Sequence, residues 1–313
     1  MMAQAPLREV PAHFVRGMAM GSADIVPGVS GGTVALVLAI YQRLVSAIRN
    51  GSSALGHFLK LDLRRGWALL RQVDWLFLIP LVLGILSAVL LLAGAIEHQL
   101  EVHPVQMSGL FMGLVAGSTV VATGLLTRRD LREWVLILGA GAAFFVALGF
   151  TSGSSAQGAS GDIALWAFFV SGAIAICAMI LPGISGSFLL VVMGMYSAIL
   201  TAVNERDFVT VGVFALGCVV GLALFSQLLH WALNEHYDTV MAVMIGLMLG
   251  SLRVLWPWPD GAGSVALGAP DEAVAVTVAL ALFGLGLVLV IDRIAHRMEH
   301  RRSRDEIEEL QTS

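Results

Sequence analysis

The sequence predicts an all-α polytopic membrane protein made of two inverted repeats, each a re-entrant helical hairpin followed by three transmembrane helices. Three observations lead to this prediction. Of 313 residues, 58% are hydrophobic and only 13% are charged, against roughly 25% charged in an average soluble domain. Basic residues are confined to alternate segments between the apolar runs. A helix-breaking motif occurs twice, once near the start of each half.

Six apolar runs are long enough to cross a bilayer, which takes about 20 residues of helix. They are 75–96, 105–126, 133–151, 208–231, 238–256 and 273–292. Two further apolar regions, 14–48 and 163–203, contain the helix breakers. The arms of the first region are only about 20 to 25 Å long as helices. We therefore interpret both regions as re-entrant, although two full crossings per region would preserve the inversion.

The positions of Lys and Arg predict the orientation, because cytoplasmic loops carry an excess of them. They cluster in 49–74, in the loop after 126 and in the tail 293–313. The segments 97–104, 152–162 and 257–271 contain none. We expect the N-terminal segment 1–13 and the tail to be cytoplasmic, and 152–162 to be an external loop. The basic linker 49–74 is either an amphipathic helix on the inner membrane surface or a solvated loop.

An internal repeat relates the two broken regions. The stretch "ADIVPGVSGGTVALVLAIY" aligns without gaps with "AMILPGISGSFLLVVMGMY". Pro27 matches Pro182 and Tyr41 matches Tyr196, each pair 155 residues apart. A shared P-G-x-S-G followed by a matched tyrosine is hard to attribute to chance similarity between apolar segments.

The later helices repeat as well, at a smaller offset. The pair Gly113–Gly117 matches Gly246–Gly250, 133 residues further on. The repeats therefore span 14–151 and 163–292, and the basic linker supplies the extra residues of the first. Since each repeat crosses the membrane an odd number of times, the second is inverted relative to the first, a recurrent plan of transporters. The G-x-x-x-G pairs could pack helices within one chain or between chains, which leaves a homo-oligomer open.

Each P-G-x-S-G loop has the composition of an anion site. The proline ends a helix, the next glycine permits a tight reversal, and the serine can cap the helix that restarts. The restarted helix then offers free N–H groups and hydroxyls, which suit a phosphate. The simpler alternative is a tight turn with packing glycines. The expected substrate-binding residues are Pro27, Gly28, Ser30, Gly31, Gly32, Thr33, Pro182, Gly183, Ser185, Gly186 and Ser187.

Two ionisable residues near the first loop complete the expected substrate site. Arg16 could hold a phosphate or mark the cytoplasmic interface. Asp24 could carry a coupling proton, pair with Arg16 or cap the loop, and Met179 takes its place in the second half. Ionisable residues inside membranes are costly and mark functional sites.

Other features limit the partners of this protein. A net charge of −4 argues against nucleic acid as a partner. Cys177 and Cys218 lie in apolar runs and are expected to be packing residues. The eight histidines form no metal-ligand pattern, so we expect no metal and no cofactor.

The paired motifs "ADIVPGVSGGT" and "LPGISGS", each followed by a tyrosine, resemble the bacterial polyprenyl-phosphate transporter family, long known as a domain of unknown function. The resemblance implies a flippase in the bacterial inner membrane that returns undecaprenyl phosphate from the outer to the inner leaflet for cell-envelope synthesis. It further implies that the two loops receive the phosphate while the polyprenyl tail stays in lipid. On this interpretation the protein is not an enzyme.

Two alternatives remain open at this stage. Undecaprenyl-diphosphate phosphatases share inverted repeats and a P-G-x-S motif, but their serine is backed by an arginine, with glutamates nearby. Here Gly31 and Gly186 follow the serines, and the glutamates fall in loops or at their edges. The second alternative is a carrier or channel for a small soluble anion.

Overall fold

The computed structural model describes residues 9–26, 29–150, 163–261, 264–271 and 273–312, so the predicted external loop 152–162 lies outside the described residues. All regular secondary structure within these ranges is helical, as predicted. The helices are α1 (Val10–Asp24), α2 (Gly31–Val37), α3 (Tyr41–Leu59), α4 (Leu63–Leu70), α5 (Trp75–Val102), α6 (Pro104–Gly124), α7 (Leu131–Phe150), α8 (Leu165–Ile180), α9 (Gly186–Val192), α10 (Tyr196–Asn204), α11 (Phe208–Glu235), α12 (Tyr237–Ser251) and α13 (Val274–Thr312).

Five helices among the described residues are long and apolar enough to cross a membrane. They are α5, α6, α7, α11 and the part of α13 from Val274 to Ile294. The chain is therefore a multi-pass membrane protein. The predicted crossing 238–256 is shorter than expected, since α12 has 15 residues and three-residue turns replace the helix from Leu252 onward. Pro257 disfavours helical geometry at Trp256, so the chain does not resume an α-helix there.

The prediction that residues 32–48 form a single helical arm is wrong. The segment breaks between α2 and α3, where Ala39 has a φ of 54°. The Ile40 N–H donates to the carbonyl of Ala35 and ends α2 in a tight turn. The second repeat breaks at the equivalent Gly194, which has a φ of 68°. Each broken region therefore contains three helices in place of two arms.

The basic linker is helical. Its first part continues α3 to Leu59, and its second part forms α4. The two helices pack on each other through the rings of Phe58 and Trp67, whose centroids lie 6.1 Å apart. The predicted boundary at residue 49 therefore falls inside a helix, and the solvated-loop alternative is wrong.

Glycines pack the first helix of each repeat against its first long helix. A Cβ on Gly21 would lie 2.5 Å from the carbonyl oxygen of Ile85, and Gly17 lies equally tightly against Leu81. Because residue numbers rise together along both helices, α1 and α5 run parallel. In the second half, Gly217 packs against Phe169 and Gly221 against Ala173, so α8 and α11 are parallel as well.

The last two helices of each repeat pack across the repeats. A Cβ on Gly246 of α12 would lie 2.6 Å from the carbonyl oxygen of Ile137 in α7. The matching Gly113 of α6 packs against Ala281 of α13. Both predicted G-x-x-x-G pairs thus pack helices within the chain, and residues from both halves share one buried core.

Candidate functional site

The second loop has the backbone that its proline and glycine predict. Helix α8 ends at Ile180, and Leu181 before the proline is extended, with φ −73° and ψ 127°. Gly183 has a φ of +85°, a conformation that residues with a side chain rarely adopt. A Cβ at this position would also lie 2.7 Å from Cα of Met248 in α12. Close packing and backbone geometry therefore both require glycine.

The first loop ends in the predicted serine cap. Ser30 has extended φ and ψ, and its hydroxyl accepts a hydrogen bond from the Gly32 N–H at 3.1 Å. Asp24, the last residue of α1, accepts a second hydrogen bond from the Gly31 N–H at 2.6 Å. Asp24 therefore performs the predicted capping role, and its role as a proton carrier stays a prediction. Pro27 and Gly28 lie outside the described residues.

The two loops contact each other directly. Thr33 of the first loop accepts a hydrogen bond from the Gly183 N–H at 3.0 Å. The Ser30 hydroxyl donates to the carbonyl of Met179 at 3.2 Å. Tyr41, the repeated tyrosine of the first half, donates to the carbonyl of Ile180 at 3.0 Å. The structure thus brings Ser30 and Thr33 of the first loop against Gly183 and the end of α8, at a single loop junction.

The two loops differ in the side chains that they present. Ser187 replaces the glycine at position 32, and its hydroxyl lies 2.9 Å from that of Ser185. Ser187 is exposed, whereas Gly32 lies so close to the carbonyl of Ile180 that a Cβ there would be 2.7 Å from its oxygen. In the first loop the side chain of Asp24 lies close to Gly31. In the second loop the side chain of Met179 lies close to Gly186 at the equivalent positions. The loops therefore share a backbone plan but differ in charge and hydroxyl placement.

Arg16 does not reach the loop junction. It precedes Asp24 by eight residues of one helix, about 12 Å. Its guanidinium lies 3.1 Å from Nδ1 of His13, whose ring contacts Phe77 near the start of α5. The predicted Arg16–Asp24 pair is therefore wrong, because helix geometry separates the two side chains.

The loop junction already holds a carboxyl group. The Gly31 N–H is bound to the Asp24 carboxylate, and the Gly32 N–H to the Ser30 hydroxyl. These amides begin α2 and are the donors that a bound phosphate would use. An incoming anion therefore has to displace the Asp24 carboxylate or bind beside it after it takes up a proton.

An apolar cavity of about 260 Å³ adjoins this junction. Val29 and Thr33 of the first loop line one part of it, and Phe111 and Val115 of α6 line another. Val288 of α13 contributes from the second repeat. Apart from hydroxyls such as that of Thr33, the walls are hydrocarbon, which suits an apolar chain.

A second, polar cavity of about 470 Å³ lies between α3, the start of α5 and the end of α11. It is lined by Gln42, Arg43, Ser46, Asp74, His230 and Asn234, among others. Sequence analysis missed this cluster because its members come from three distant segments. One signal in the sequence could have revealed it. Arg43 is a charged residue inside the first broken region, and Ala198 stands at the equivalent position of the second.

Comparisons with known proteins identify the family of this chain. A family model described as VCA0040-like, undecaprenyl phosphate translocase-like, matches residues 20–267. A polyprenyl-phosphate transporter from Vibrio cholerae serotype O1 is 40% identical over 248 residues, which cover 79% of this chain and 78% of the relative. A polyprenyl-phosphate transporter from Staphylococcus aureus is 28% identical over 301 residues, covering 92% and 98%. No solved structure gives a significant match. The chain therefore belongs to the undecaprenyl phosphate translocase-like family.

Proposed function

We propose that this protein transports undecaprenyl phosphate from the outer to the inner leaflet of the bacterial cytoplasmic membrane. The phosphate binds at the loop junction, and both chain termini face the cytoplasm. Family membership and the names of the two relatives support the substrate class. A phosphate charge cannot cross hydrocarbon unaided, so a polar path through the protein lowers the barrier.

Helix packing supports the re-entrant and inverted arrangement. Helix α1 runs parallel to α5 but ends at Asp24, shortly after Gly21 contacts Ile85 and Ala88 near the middle of α5. The chain then returns, since Arg43 pairs with Asp74 at the start of α5. The first loop therefore lies at about half the depth of a spanning helix. The glycine contacts of α8 with α11 support the same plan in the second repeat.

The apolar cavity carries the proposal of a lipid substrate. Because Thr33 belongs both to the loop junction and to the cavity wall, a headgroup at the junction would place its first isoprene units against Val29 and Phe111. A carrier of a small soluble anion would have no use for a hydrocarbon-lined space beside its binding site. We therefore favour a lipid phosphate over a soluble anion.

The loop junction favours transport over hydrolysis. The acidic side chain Asp24 is hydrogen-bonded to the first P-G-x-S-G loop, where the Gly31 N–H holds its carboxylate. Within the described ranges, no three His, Cys, Asp or Glu side chains form a group that could hold a metal ion. A phosphatase needs a base or a metal at the attacked phosphate. Displacement of the carboxylate by a phosphate needs neither.

Proteoliposomes containing the full chain test this function. We expect labelled undecaprenyl phosphate to move between leaflets, with no release of phosphate from undecaprenyl diphosphate. Ala19 lines the apolar cavity and is exposed, so Ala19→Phe should narrow the cavity and slow transfer without disturbing the core. Ala12→Phe, on an exposed position of the same helix, is the matched control. Flux of inorganic phosphate without lipid transfer would contradict the proposal.

A further inference from the structure

From the polar cavity between α3, α5 and α11 we infer a second phosphate-binding site, in which Arg43 receives a phosphate monoester group after it leaves the loop junction. The inference rests on the proposed function for its direction of travel. The cavity holds about 470 Å³, ample space for a phosphate group and several waters. It lies where α5 begins, on the side proposed to be cytoplasmic.

Arg43 has hydrogen-bonding capacity left over. Its Nε and one terminal nitrogen both donate to the same oxygen of Asp74, Oδ2. The other oxygen, Oδ1, caps α5 by accepting from the Phe77 N–H at 3.2 Å. A guanidinium has five N–H groups, so three have no acceptor among the described residues. Asp74 and the Phe77 ring, 4.5 Å from the guanidinium carbon, hold the group in place for a ligand.

The wall of the cavity formed by α11, opposite Arg43, adds uncharged hydrogen-bond donors. The Asn234 amide, as oriented, donates to Nε2 of His230 at 3.0 Å, which assigns the ring proton to Nδ1. That proton points to the Ser46 hydroxyl at 3.5 Å and leaves the serine proton free to donate. Arg43 and Ser46 lie one turn apart on α3, so both can reach one phosphate group.

The repeat argues against a purely structural role for Arg43. Asp207 caps α11 as Asp74 caps α5, yet Ala198 stands where Arg43 would be. Hydrogen bonds from the hydroxyl and amide of Thr210 satisfy Asp207 and lower the pKa of its carboxyl. An aspartate cap in this fold therefore does not need an arginine.

The residues that correspond to His230 and Asn234 in the first repeat also differ from them in charge. His230 and Asn234 correspond to Glu97 and Glu101, 133 residues earlier. At the repeat-related position, the first repeat thus supplies two carboxylates and the second an alanine, where the polar cavity has a guanidinium and neutral donors. Of these two repeat-related positions, the one beside Arg43 has the donors that an anion needs, and the asymmetry gives the two sides of the protein different affinities for phosphate.

Helix α2 and the start of α3 connect the loop junction to the cavity along the chain. Tyr41 donates to Ile180 of the second loop, and Arg43 follows two residues later. Helix α2, which begins at the junction, is only about 10 Å long, and Ala39 at its end lines the cavity. A phosphate that leaves the junction on this side therefore meets Arg43 within a short distance.

Arg43→Gln in the full chain tests this site, with Arg71→Gln on an exposed position as the matched control. Loss of charge-assisted hydrogen bonds should weaken phosphate binding at least about tenfold, and transfer should slow by a similar factor. Arg43→Lys should retain most of the activity. Arg43→Gln combined with Asp74→Asn should stay impaired, whereas recovery in the double variant would mean that Arg43 only neutralises Asp74 and would overturn the inference.

Two ligands identify the source of the phosphate group. Binding of undecaprenyl phosphate and of inorganic phosphate is measured separately on detergent-solubilised wild type and Arg43→Gln. Loss in the lipid arm assigns the site to the headgroup, and loss in the inorganic arm assigns it to free phosphate. Equal binding by both proteins in both arms would overturn the inference. If wild type and Arg43→Gln transfer lipid equally well, the inferred second site is contradicted while the proposed function stands.

Discussion

Thr33 and Gly183 are joined by a buried hydrogen bond of 3.0 Å between a threonine hydroxyl and a backbone amide 150 residues away. This bond ties the start of α2 in the first repeat to the reversal that precedes α9 in the second. Ser30 and Tyr41 add further bonds to the carbonyls of Met179 and Ile180. The two repeats therefore meet at their helix breakers, so a substitution in one loop should affect the other loop.

Thr33→Val should weaken this contact with little change in shape. The Gly183 N–H would remain buried without an acceptor, which costs about 1 to 3 kcal/mol. We expect a lower midpoint of thermal unfolding in detergent and slower lipid transfer. Thr119→Val is the matched control, because the Thr119 hydroxyl is also buried but bonds only to Val115 within its own helix. Equal loss of stability in both variants would contradict the role assigned to Thr33.

Gly113→Ala should disrupt the packing of α6 on α13. Its new Cβ would run into the carbonyl group of Ala281, and backbone cannot move aside as a flexible side chain can. Overpacking of this kind costs about 1 to 3 kcal/mol or more. Gly139→Ala is the control, since nothing lies within 4 Å of a Cβ there. It should stabilise α7 by up to about 1 kcal/mol. Unfolding midpoints of the two variants measure the difference, and equal midpoints would contradict the close contact.

Asp24→Asn should separate capping from proton transfer. The asparagine oxygen can still accept from the Gly31 N–H, so the unfolding midpoint should stay near that of wild type. Asparagine cannot take up a proton, so any dependence of transport on a pH gradient should disappear. Asp24→Ala is the comparison that removes the cap and should also lower stability, by about 1 kcal/mol. An Asp24→Asn protein with unchanged pH dependence would exclude Asp24 as a proton carrier.

Single cysteines should report the proposed orientation. In a background with Cys177 and Cys218 changed to alanine, Glu101→Cys should react with an impermeant maleimide added to intact cells. Arg129→Cys should react only after the membrane is opened. Both residues are exposed; Glu101 precedes α6 in the sequence and Arg129 follows it. Labelling of both from the same side would contradict a crossing by α6.

The local geometry of the loops followed from the sequence. Pro182 predicts an extended Leu181, the glycine after it predicts a positive φ, and Ser30 predicts a cap, and all three are confirmed. These outcomes depend on steric limits and hydrogen bonds within a few residues. The break at Ala39 was missed, because a positive φ at alanine carries no compositional signal.

The sequence by itself determined that the chain is helical and membrane-spanning, that it contains a repeated pair of loops, and that the glycines of the two G-x-x-x-G pairs can pack helices. Only the tertiary structure decided that Thr33 accepts from Gly183, that Asp24 caps α2 rather than pairing with Arg16, and that Arg43 faces Asp74 and His230. The physical reason is the range of the interactions. Periodicity and helix breakers act within a few residues, whereas these partners are brought together by the packing of helices far apart in the chain.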